Sequence, residues 1–139
     1  MIVVDTSAIL AYMNAADTHH AELSGWIASE HDDLATTPLV VAEVDHLVAA
    51  RGGPAASRAL RADLLSGAYL VDWWSGALAA AVRVAERYAD NGLGLTDASL
   101  VVLAERLDTI QIATLDERHF RTVRPLTGGD AFRLLPRDL

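Results

Sequence analysis

The chain has 139 residues, no cysteine, and a formal net charge of −8 from 19 acidic against 11 basic residues. That length fits one domain, residues 1–139, able to bury a core without help, and the missing thiols exclude thiolate metal centres and a disulfide framework. Every basic residue is arginine, which excludes chemistry that needs a lysine (a phosphate-loop lysine, a Schiff base, the lysine of receiver-type phosphorylation domains) but leaves bidentate phosphate contacts open.

In chain order, Val3-Val4 leading into Asp5 predicts a short buried strand, with Ser7 capping a helix over Ala8 to Met13. The opening MIVVDTSAIL carries no basic stretch ahead of its apolar run, and no later apolar run reaches the roughly 20 residues of a membrane span, so a soluble cytoplasmic protein is expected. Thr18 opens a second helix with Leu23, Trp26 and Ile27 on one face. A strand at Leu34–Thr36 ends in Thr37-Pro38, an N-cap followed by proline at the first helical position, and the helix runs to about Arg51, where Gly52-Gly53-Pro54 stops it.

A further helix fits Ala55 to Leu65, and Tyr69 to Val71 reads as a third strand, after which Trp73 and Trp74 are expected to point to opposite faces. Ala77 to Tyr88 is helical, and Thr96 or Asp97 caps an amphipathic helix to Leu107. Gln111 to Thr114 is a fourth strand that ends at Leu115-Asp116, where a loop begins, and Phe132 to Leu135 is a candidate fifth. Short apolar strands alternating with helices indicate an α/β fold with a mostly parallel sheet of four to five strands covered on both faces.

Four carboxylates sit in apolar surroundings: Asp5 in IVVD, Glu43 in VVAEV, Asp97 in LGLTDASLVVL and Asp116 in IATLD. Taken singly, Asp5, Asp97 and Asp116 also read as turn or capping residues. Glu43 discriminates, because it falls within the stripe Val40, Val44, Leu47 and Val48, where a buried acid needs a partner. Parallel sheets bind ligands beyond the carboxyl ends of their strands, which is where Asp5 and Asp116 fall. Four converging carboxylates predict a divalent cation, Mg2+ or Mn2+ rather than Zn2+, and the hydroxyls of Ser7 and Thr114 are placed to orient them.

The net charge alone argues against a nucleic-acid partner. Its distribution does not, because residues 1–50 hold eight carboxylates and no arginine, whereas residues 51–139 hold 11 of each sign. Arg118, Arg121, Arg124, Arg133 and Arg137 follow Asp116 closely, and Arg51 or Arg87 are further candidates for a phosphate-binding surface.

The segments IVVDTSAILAYM, TTPLVVAEVDHLV, GLTDASLVVLAERL and IATLDERHF, in this order and spacing, resemble the PIN-domain ribonucleases and, within them, the VapC-type toxins of toxin–antitoxin pairs. The resemblance implies a three-layer α/β/α PIN-like fold and makes Asp5, Glu43, Asp97 and Asp116 an acidic metal-binding quartet supported by Ser7 and Thr114. It also implies endonucleolytic cleavage of tRNA or rRNA, a VapB-type antitoxin partner and a homodimer. Two other readings compete: an aspartyl-phosphate phosphatase with Asp5 as nucleophile, which lacks the usual second aspartate at position 7 and any lysine, and a binding module that cleaves nothing.

Overall fold

A computed structural model describes all 139 residues, in which five strands and six α-helices are arranged around one sheet. β1 (Ile2–Val4) is central, flanked by β2 (Leu34–Thr36) and then β3 (Leu70–Val71) on one side, and by β4 (Gln111–Ala113) and then β5 (Arg133–Leu135) on the other. Every neighbouring pair is parallel, with Val3 opposite both Ala35 and Ile112. The sheet therefore has all five expected strands and no antiparallel member. β1 is apolar and buried along its whole length because helices cover both faces of the sheet. The chain moves outward from β1 through β2 and β3, then crosses back to β4, so the order reverses between β1 and β4 and leaves a crevice at their carboxyl ends.

α1 (Thr6–Met13) follows β1 at once, and its N-cap is Asp5 rather than Ser7: the backbone at Asp5 is extended and its carboxylate accepts from the Thr6 N–H at 2.7 Å. α2 (His20–Ser29) starts two residues later than Thr18, since Asp17 accepts from the His19 N–H and holds that stretch in a turn. α3 (Pro38–Ser66) begins as expected, with the Thr37 hydroxyl accepting from the Val40 N–H at 3.4 Å. It breaks at Gly53 (φ 72°, ψ −167°), which divides it into the two predicted segments.

α4 (Ala77–Arg87) matches its prediction, but α5 (Leu95–Arg106) differs in two respects. It is capped at Gly94, which puts Thr96 and Asp97 inside the first turn, and Ala98 to Ala104 are all buried, so the helix is enclosed rather than amphipathic. It packs against α4, α3 and β1 together, and so has no solvent face to make polar. The buried Ser99 hydroxyl donates to the Thr96 carbonyl at 2.6 Å and lies 2.8 Å from the Thr37 hydroxyl, tying the start of α5 to the start of α3. A short helix α6 (Glu117–Arg121) occupies the expected loop after Asp116. The rings of Trp73 and Trp74 lie 6.1 Å apart instead of on opposite faces, and the Arg106 guanidinium covers Trp74 at 4.5 Å while bonding Asp72.

Candidate active site

The crevice at the strand-order reversal is a cleft of about 460 Å³ that brings Asp5, Glu43, Asp97 and Asp116 together on its walls. Asp5 projects from the β1–α1 junction, Glu43 from the second turn of α3, Asp97 from the first turn of α5, and Asp116 from the residue before α6. Four segments distant in sequence therefore supply one site.

Asp5 is the most tightly held. The hydroxyls of Ser7 and Thr114 each donate to its Oδ2 at 2.8 Å, and the Thr6 N–H donates to Oδ1 at 2.7 Å. Ser7 also accepts from the Leu115 N–H at 2.9 Å, and Thr114 accepts from the Asp116 N–H at 2.9 Å. The two hydroxyls thus stitch the end of β1 to the end of β4 and fix Asp5 and the Asp116 backbone relative to each other. Even so, burial pushes the Asp5 carboxyl above its ordinary pKa, against the lowering effect of the Thr114 and Ser7 bonds. Desolvation likewise raises Asp97, to about 6, reinforced by the negative charges of Asp5 and Asp116 and opposed by His119.

His119 is a member of the site that the sequence reading did not single out. Its Nδ1 lies 2.9 Å from Asp97 Oδ2 and 3.4 Å from Asp116 Oδ2, yet makes no aligned hydrogen bond to either. The available signal was the spacing: Asp116 and His119 are three apart, and on one turn of helix such residues share a face. The Thr6 hydroxyl, which from sequence reads equally as a cap or as a group orienting the carboxylates, is buried at the cleft wall with no partner.

Glu43 lines the cleft as expected, but for a different reason. The side chain is exposed at the rim, with Val40, Val44 and Val48 taking the buried face of α3, so no burial penalty marks it out. Neighbouring Asp45 turns away to Arg61 at 3.6 Å.

The donor set suits a hard divalent cation. Its members are carboxylate and hydroxyl oxygens, burial raises the pKa of two of the carboxylates, and the orphaned Thr6 hydroxyl faces the same space. No three acidic or histidine side chains close into a ready-made cage. An open arrangement is what Mg2+ uses, because it dehydrates reluctantly and binds through one or two carboxylates while keeping several waters.

Of the arginines near Asp116, three are engaged within the protein. Arg121 forms a two-pronged contact with Asp138 at 2.7 and 2.6 Å and reaches Glu117 at 3.3 Å, Arg137 lies 3.5 Å from Glu117, and Arg133 donates to the Asp138 carbonyl. Arg118 and Arg124 carry no acidic partner, and Arg51 alone among the arginines lines the cleft.

The chain matches the sequence profile of the PIN domain over residues 2–125. It is 43% identical over 136 residues to Ribonuclease VapC26 of Mycobacterium tuberculosis, a match that covers 97% of this chain and 100% of that protein. Among solved structures, the Mycobacterium tuberculosis VapC20, described as a sarcin-ricin loop cleaving toxin, matches with a TM-score of 0.77 at 25% identity over 84% of this chain and 90% of its own. FitAcB from Neisseria gonorrhoeae shares the fold, with a TM-score of 0.62 at 20% identity over 86% of this chain and 91% of its own.

Proposed function

The chain belongs to the PIN domain family and to its VapC-type ribonucleases, and from that premise we propose that the Asp5–Glu43–Asp97–Asp116 cleft is the site of phosphodiester hydrolysis in structured cellular RNA. The observation that carries this reading is the meeting of four sequence-distant carboxylates in one crevice at the strand-order reversal. As a toxin of a toxin–antitoxin pair it would arrest translation by cutting tRNA or rRNA. The description of VapC20 as cleaving the sarcin-ricin loop favours an exposed ribosomal loop as one substrate class.

Asp5 and Asp97 are the proposed direct ligands of Mg2+ or Mn2+, with Glu43 and Asp116 holding a second ion or orienting water. When bound, the ion would supply positive charge to the scissile phosphate and acidify a water molecule. The chain's own contribution is orientation. A carboxylate offers about four lone-pair directions, and three hydrogen bonds already fix those of Asp5, so one remains for a ligand. Ser7 and Thr114 keep that geometry constant through the cycle. Glu43, at the open rim, meets solvent and substrate first.

The partner expected from the family is a VapB-type antitoxin, whose cationic group would satisfy the same carboxylates and exclude metal and substrate. A homodimer, a cytoplasmic location and a single catalytic domain over residues 1–139 complete the proposal; no helix is long and apolar enough to cross a membrane.

The test is cleavage of purified RNA with Mg2+ or Mn2+ by the wild type and by Asp5→Asn and Asp97→Asn. Each variant should fold and lose at least about 100-fold in rate, as expected when a preorganised charged group is removed. Undiminished cleavage in both variants would overturn the site assignment. Mapping RNA ends in cells after induction, against an Asp5→Ala control, identifies the substrate.

A further inference from the structure

Arg51 occupies a position that the carboxylate chemistry leaves unexplained. It lines the cleft together with four acids, yet it makes no ion pair or hydrogen bond with any of them and stays exposed. It also borders a second cavity of about 210 Å³ between α1 and α3, which shares Leu10 and Leu47 with the cleft. The guanidinium thus stands on the divide between the acidic site and a more apolar groove.

The backbone holds it there. Arg51 is followed by Gly52 and by Gly53 with φ 72° and ψ −167°, a conformation essentially reserved for glycine. A Cβ on Gly52 would come within 2.6 Å of the Ala56 Cβ, so the two segments of α3 meet too closely for any side chain there. Arg51 therefore ends a straight helical segment, where carbonyl ends favour a cation. By contrast, Arg121, Arg133 and Arg137 are committed to Asp138 and Glu117.

A negatively charged strand entering a cleft lined by carboxylates needs a fixed positive group beside the metal site, and a planar guanidinium binds phosphate with two parallel hydrogen bonds. We propose that Arg51 grips a backbone phosphate of the bound RNA next to the scissile one, and thereby directs the strand out of the cleft across the break in α3. This rests on the ribonuclease reading of the same site and adds the strand's path and a substrate-binding residue to it.

The experiment uses the full-length protein carrying Asp5→Asn, so that RNA binds without being cut, and a fluorescein-labelled mixed-sequence single-stranded RNA titrated at several KCl concentrations. Adding Arg51→Gln should weaken binding about tenfold and flatten the slope of log affinity against log salt by about 0.7, the share of one phosphate contact on a single strand. Arg51→Lys should keep the slope and recover part of the affinity. Arg83→Gln, on α4 and outside the cleft, should change neither. In the active protein Arg51→Gln should raise KM more than it lowers kcat.

An unchanged slope in Arg51→Gln, with RNA still bound by the Asp5→Asn protein, overturns this proposal alone. Absence of RNA binding by the Asp5→Asn protein together with absence of metal-dependent cleavage by the wild type overturns the ribonuclease reading and this proposal with it.

Discussion

Two aspartates of one cleft are treated oppositely by their surroundings. Asp5 receives three hydrogen bonds, whereas Asp97 keeps only the poorly aligned His119 and faces two like charges. The consequence is a pH dependence with a definite sign. Asp97 titrates near 6 in the folded protein and near 3.8 unfolded, so between those values the folded state binds more protons and stability falls as pH rises. Metal-free protein should therefore lose on the order of 2 kcal/mol from this group between about pH 4 and 6, and Asp97→Asn should flatten that part of the profile. Urea denaturation at stepped pH measures it, and a wild-type profile flat over this range would contradict the assigned burial. The sequence disclosed Asp5, Asp97 and Asp116 because each ends or begins an element recognisable from its apolar run. It misjudged only the burial of Glu43, since the helical stripe locates a residue to within about one position on the surface and cannot separate a buried face from a cleft rim. It passed over His119 because the turn carrying it is only five residues long, too short for a periodic signal.

Among the elements, α3 and α5 make the site and depart from expectation in opposite ways. α3 was readable in full, from its Thr37-Pro38 start to its glycine break, because capping and breaking are local chemistry. α5 was readable only in extent. Its enclosure by α4, α3 and β1 is a tertiary fact, and a helix that is buried all round has no polar face in its pattern to report it. The break in α3 yields an element-scale prediction. Gly53→Ala forces a Cβ into a backbone region where it costs about 1–3 kcal/mol, although space beside it is open. The variant should unfold at correspondingly lower denaturant and should also bind RNA more weakly, since straightening the break displaces Arg51. Loss of stability with unaltered RNA affinity would separate the two roles of the break.

At the scale of the whole molecule, the fold turns an unfavourable charge distribution into a functional one. The N-terminal 50 residues carry eight carboxylates without an arginine, and the sheet order places two of them, Asp5 and Glu43, opposite acids from the last third of the chain. On the proposed reading, such a protein would gain stability when a cation binds the cleft. Saturation with Mn2+ at about 100 times its Kd adds about 2.7 kcal/mol, so a thermal scan should show Tm rising by about 9 °C in the wild type and much less in Asp5→Asn. Equal shifts in both would place the ion elsewhere. The parallel sheet and its helices were legible as a whole because strand and helix alternation fixes a parallel α/β arrangement. The engagement of Arg121, Arg133 and Arg137 was not, because it depends on Asp138 folding back from the C-terminus.

The enclosure of α5 sets how the cleft can adjust. Asp97 stands on a helix packed on every side, and Asp5 is stitched to two strand ends, so together they form a rigid jaw. The Asp116 backbone is bonded to Thr114 and so belongs to the same jaw, and α6 behind it is anchored by buried Phe120 and the Arg121–Asp138 contact, whereas Glu43 stands exposed at the rim on α3. In the proposed reaction, a change of spacing on binding metal and RNA would fall to the Glu43 side of the cleft. The cleft is built as a vice with one fixed plate.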